Sequence, residues 1–135
     1  MDLVFRIIVA ILGLIGLVTG INDFIEGASA KGDFGNLKEM TNTPMLNFTI
    51  RFLGAIWAGF GALLILFSTD LERYDIALII ALAFVIIGGI GRLISIKQFG
   101  VDSINKTTVY VILIIELIVV TVVLVWYLLR VRVYF

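Results

Sequence analysis

Three ionisable residues lie inside long apolar runs of this chain: Arg51, Arg92 and Glu116. A charge near the centre of a bilayer costs about 2.5–3.5 kcal/mol on insertion scales, so such a residue ordinarily has a partner or a task. Two guanidinium groups and one carboxylate support a short list of chemistry. They can neutralise each other as an ion pair, grip a carboxylate or phosphate through arginine, or bind a proton or cation at the glutamate. Asn47 falls on the same helical stripe as Arg51 and completes the candidate polar site. A purely structural role stays open beside these: buried pairs can fix which helices meet without adding stability.

The rest of the inventory narrows the choice. The chain has no Cys and no His. That excludes disulfides, thiol nucleophiles, imidazole haem ligation, the commonest zinc ligand and the usual general base. With no recognisable nucleophile–base pair or metal cluster, the expectation is a protein that is not an enzyme and carries no cofactor or metal. A formal net charge of zero gives no electrostatic case for nucleic acid.

The elements that must position these residues follow from length and hydropathy. A chain of 135 residues is at most one domain. It is 61% hydrophobic and only 15% charged, against about 25% charged in soluble domains. Its mean hydropathy is +1.18. A soluble fold of this size leaves roughly 30% of its unfolded surface exposed, which so apolar a chain could not tolerate. Lipid as solvent removes the difficulty.

Four segments approach or exceed the roughly 20 apolar residues that cross a bilayer: 3–21, 46–68, 76–95 and 107–129. They carry Arg6, Arg51, Arg92 and Glu116 respectively. Each must be helical, because an isolated strand in lipid leaves its backbone groups unpaired. The first reads as a span and not as a signal peptide: it is too long for a signal core, and Asp23 and Glu26 precede Ala28-Ser29-Ala30. The fold class is therefore all-α, an antiparallel four-transmembrane-helix bundle forming a single membrane domain. A long polar loop, 22–45, separates the first two spans, with a short helix expected near Asn36 to Met40. Pro44 suits a first helical turn. The turn Thr69 to Asp75 forces antiparallel neighbours, and 96–106 is a short loop.

Small residues mark where helices in lipid approach one another. Arg6, Ala10, Gly13, Leu17 and Gly20 align on the first span, with Gly16 adjacent. Asn47, Arg51, Gly54, Ala58 and Ala62 align on the second. Ala81, Val85, Gly88, Arg92 and Ser95 align on the third, with Gly91 beside them. The fourth span has neither Gly nor Ala; Trp126, Tyr127, Tyr134 and Phe135 with Arg130 and Arg132 read as an interfacial anchor. Arg6, near a helix end, is expected to snorkel to the headgroups. At 1.5 Å per residue, Arg51 lies about 8 Å below one face, counted from Leu46. Arg92 lies about 5 Å below it, counted from Ser95, and Glu116 about 14 Å, counted from Thr107. Glu116 is thus expected to meet Arg92, Arg51 or both.

Asn47-Phe48-Thr49-Ile50-Arg51-Phe52-Leu53-Gly54-Ala55-Ile56-Trp57-Ala58-Gly59-Phe60-Gly61 resembles the second-span signature of the family named domain of unknown function 4345. Gly88-Gly89-Ile90-Gly91-Arg92-Leu93-Ile94-Ser95 and Glu116-Leu117-Ile118 resemble its third and fourth spans, so the resemblance covers nearly the whole chain. It implies a small bacterial four-helix membrane protein, distantly similar to DoxX-type proteins, and it underlines Arg51, Arg92 and Glu116. It implies no activity, and the long acidic first loop departs from the shorter loop of the family.

The leading expectation is a non-enzymatic inner-membrane protein. It would hold a lipid, a quinone or another anionic amphiphile near Arg51 and Arg92, with membrane lipids as partners. A proton- or cation-coupled transporter using Glu116 is the alternative. So is an accessory role, in a homo-oligomer or a larger membrane complex. Both termini are expected on one side, in the cytoplasm. Arg6, Arg73, Arg130 and Arg132 share that side, and the longer acidic loop lies opposite.

Overall fold

The computed structural model describes residues 2–29, 44–100 and 106–134. Helix α1 is Asp2–Glu26, α2 is Pro44–Thr69 and α3 is Asp75–Phe99. Helix α4 runs as one rod over Lys106–Val131 and ends in a 3-10 turn, Arg132–Tyr134. All four are long and apolar enough to cross a membrane. Large apolar side chains point outward all round, among them Phe84, Ile118 and Leu129 at about 60% exposure or more. In water this surface would be untenable; facing lipid it is ordinary. The chain is an all-α, multi-pass membrane protein.

The observed helix bounds extend those expected from hydropathy. Pro44 opens α2, as its fixed φ suits. Helix α1 does not stop at Ile21. It continues through Asn22–Glu26 because its end is held by groups from α2. The expected short helix near Asn36 to Met40 lies outside the described residues.

Helices α1 and α2 form a close hairpin built on glycine. Gly13, Gly16 and Gly20 of α1 face Gly54, Ala58 and Gly61 of α2. A Cβ added at Gly13 would lie 2.7 Å from the Gly61 carbonyl oxygen, and one at Gly54 2.6 Å from the Phe24 nitrogen. These are backbone atoms, so the two helices touch main chain to main chain. That geometry gains dispersion contacts where no hydrophobic force drives helices together. Trp57 reinforces the seam: its indole Nε1 donates to the Thr19 hydroxyl at 3.0 Å, and its ring stacks on Phe60.

Helices α3 and α4 form the second hairpin. Its inward face on α4 is Leu113, Glu116, Val120, Val123, Tyr127 and Val131. Two stretches of α4 are π-helical, Ile114–Val119 and Tyr127–Val131. In them the amide bonds reach back five residues, as from Val120 to the Ile115 carbonyl.

The hairpins join on the side that holds the chain ends and the tight turn. Phe5, Val9, Leu64, Leu71, Leu78, Leu82, Val120, Tyr127 and Val131 form one buried cluster there. Phe5 stacks on Tyr127 at 5.0 Å and meets Trp126 edge-on. Tyr127 is fully buried, so it is a core residue and not the interfacial anchor its position beside Trp126 predicts. Its hydroxyl donates to Asp75 Oδ1 at 2.9 Å, which a buried phenol needs. Asp75 also receives Arg132, Nε to Oδ2 at 3.1 Å. Only the backbone of Tyr134 is described, and Phe135 lies outside the described residues.

Candidate functional site

The four sequence-predicted residues fall into two groups. The first caps a helix. Helix α1 ends at Gly27, whose φ of +63° is a left-handed conformation that glycine adopts without a Cβ penalty. Past it, the Ala28 amide donates to Asn47 Oδ1 at 3.1 Å. Arg51 sends one guanidinium nitrogen to the carbonyls of Phe24 and Ile25, at 2.8 and 2.7 Å. Those carbonyls are among the four a helix end leaves unpaired, and a cation there opposes the helix dipole.

Arg6 does the same at the other end of the hairpin. Its guanidinium donates to the carbonyls of Ser68 and Thr69, the last turn of α2. Each of these antiparallel helices therefore carries an arginine near its own start that closes the end of its neighbour. This contact gives Arg6 a partner at the helix end beside the snorkelling expected of it. Arg51 and Asn47 likewise secure the hairpin, and the expected grip of Arg51 together with Arg92 on one ligand is not formed in this arrangement.

The second group is Arg92 and Glu116. Arg92 Nε stands 3.2 Å from Glu116 Oε2 across α3 and α4. Gly89, one turn before Arg92, provides the closeness: a Cβ there would lie 3.0 Å from Glu116 Cβ and 2.9 Å from Leu117 Cδ2. The structure thus brings Glu116 to Arg92 and not to Arg51. The two partners differ in environment. Glu116 lies in the Ile114–Val119 π-helical stretch with 11% of its side chain exposed, whereas Arg92 has 54% exposed. Glu116 Oε2 is buried and has no hydrogen-bond partner. The contact with Arg92 is close enough for Coulomb attraction but not aligned as a hydrogen bond. π-Helical turns in α-helices are frequent at functional sites.

The surface of α3 beside Arg92 is open. Added Cβ atoms at Gly88 and Gly91 would meet nothing within 4 Å. Together with exposed Ser95 and Phe84 these glycines make an open strip along one side of α3, flanking Arg92 on the helix. On the α3 stripe read from sequence, Ala81 is buried in the core, Val85 packs against it and Arg92 reaches α4, whereas Gly88, Gly91 and Ser95 lie open; Gly89, off that stripe, makes the close approach to α4. Sequence reasoning also missed the Asp75–Tyr127–Arg132 cluster. Its signal was an acid at the first residue of a helix, where the dipole favours it. Among the described residues no group of three or more potential metal ligands occurs.

No curated protein and no solved structure matches the chain. The family described as domain of unknown function (DUF4345) matches residues 4–127, which include all of the residues just described except Arg132. By that match over most of its length, this four-helix chain belongs to the DUF4345 family.

Proposed function

We propose that this protein is a non-enzymatic, lipid-binding protein of the bacterial inner membrane, and that it holds an anionic amphiphile with its headgroup on Arg92. One observation carries the reading. Arg92 is more than half exposed although it lies within a membrane-spanning helix, about 9 Å from the Gln98 end of that span. Glu116 meets one edge of the guanidinium, and its terminal nitrogens make no hydrogen bond among the described residues. A phosphate or carboxylate can take up that fork in two parallel bonds. The open strip at Gly88 and Gly91 leaves room for the apolar tail beside it. A neutral quinone would leave the guanidinium unmatched.

Cation transport through Glu116 fits less well. A guanidinium 3.2 Å from the carboxylate repels any metal cation that would bind there.

Native mass spectrometry of gently extracted protein tests the proposal. Wild type should retain an anionic amphiphile that Arg92→Gln loses. Equal retention by both, or none by wild type, contradicts it. We place the termini in the cytoplasm, because the tight turn and the tail carry Arg73, Arg130 and Arg132. A cysteine at Asp70, exposed in the turn, should then label only from inside.

A further inference from the structure

Free Arg92 and Glu116 neutralise each other, yet an incoming anionic headgroup needs the same guanidinium. We propose that loading exchanges the partner of Arg92: a monoanionic headgroup takes its guanidinium, and Glu116 takes up one proton from water. This rests on the reading of Arg92 as the headgroup site.

The geometry favours exchange over simple addition. The link between the two side chains is a single contact, Nε to Oε2 at 3.2 Å, and Oε2 makes no hydrogen bond. Arginine has five N–H donors in a planar fork, so most of its binding capacity is uncommitted. Glu116 is 8% exposed, and among the described residues Arg92 is the one charged group paired with it. Besides Arg92, helix α3 brings Gly89 against it. No residue of α1 or α2 pairs with it among those described.

Charge balance in a low dielectric then decides the outcome. The free site carries one positive and one negative charge. Adding an anion without a proton would leave a net negative site with a carboxylate that is buried and drawn on by a shared cation. Such a buried group neutralises instead. With the proton added, an O–H bond forms on Glu116 as one in a solvent hydronium or buffer acid breaks, no bond in the headgroup breaks, and the net charge of the site stays at zero. A proton gained on binding means affinity falls as pH rises, by tenfold per pH unit across the range where Glu116 titrates.

Wild-type protein in phosphatidylcholine nanodiscs is titrated with hexadecanesulfonate in one arm and with a short-chain phosphatidylglycerol in the other. Both headgroups stay anionic throughout, so any proton taken up belongs to the protein. Proton uptake is read with an indicator dye in weak buffer, and affinity is read against pH. The expected result is one proton per bound amphiphile and the tenfold slope. Response in the sulfonate arm alone identifies a free amphiphile, and in the phosphatidylglycerol arm alone a lipid headgroup; either supports the exchange. Glu116→Gln should bind at every pH as tightly as wild type does at its acid limit, without proton uptake.

Binding with no proton uptake and no pH slope overturns the exchange while leaving the headgroup site standing. No binding in either arm overturns both. Proton uptake that persists in Glu116→Gln overturns the assignment to this residue. Should that variant fail to fold, the wild-type proton count decides alone.

Discussion

Replacing Gly61 by alanine is the sharpest test of how α1 and α2 are held. The new Cβ would lie 2.5 Å from the Gly13 carbonyl oxygen and 2.8 Å from the Gly16 carbonyl carbon. Ordinary contact begins near 3.4 Å, and the atoms met are backbone, so no side chain can swing aside. The helices must separate by up to roughly 1 Å, which forfeits about a quarter to a half of the dispersion at each contact along the seam. Overpacking of this kind costs about 1–3 kcal/mol. Gly59→Ala is the matched control: it lies on the same helix, and its Cβ would meet nothing within 4 Å. Reversible unfolding in mixed micelles, with SDS as denaturant, should show Gly61→Ala destabilised by that amount and Gly59→Ala within about 0.5 kcal/mol of wild type. Equal tolerance of the two would refute main-chain contact between α1 and α2.

Four other perturbations test the remaining contacts. Glu116→Ala should cost less than the about 3–5 kcal/mol typical of breaking a buried pair, because Arg92 lies only about 9 Å from the Gln98 end of its span and the freed guanidinium can reach toward the headgroups. Replacing both by leucine should cost less again, as the same unfolding titration would show. Arg51→Met removes two charge-assisted bonds from the end of α1. Amide exchange there should quicken while α3 and α4 stay protected, and each bond is worth at most about 1.5–3 kcal/mol. Tyr127→Phe keeps the stack on Phe5 but leaves Asp75 without the phenol, and should lower stability by about 0.5–1.5 kcal/mol in a thermal melt.

Hydropathy made the four helices legible, because lipid imposes a length and forbids unpaired backbone. The small-residue stripe of the first span was legible for the same kind of reason, since small residues repeat on one face where main chains meet; on the second span Gly54 and Ala58 were, but the seam runs through Gly61 and not the exposed Ala62. On the third span that rule misled. Gly88 and Gly91 lie on open surface, and Gly89 makes the contact, since pattern alone does not say which of several adjacent glycines faces a neighbour. The π-helical stretch at Glu116 leaves no mark in composition. Depth placed both Arg51 and Arg92 within reach of Glu116. The choice went to Arg92 because Arg51 found unpaired carbonyls nearer at hand, on the helix that α1 extends past its apolar run.

The most direct test of the central claim is an experimental density map of the protein extracted with its native lipid. The expected result is an elongated non-protein feature with its head within about 3 Å of the Arg92 guanidinium and its tail along Gly88 and Gly91. A protein helix covering that strip, from a second copy or another subunit, or a headgroup seated elsewhere with Arg92 held by Glu116 alone, would contradict it.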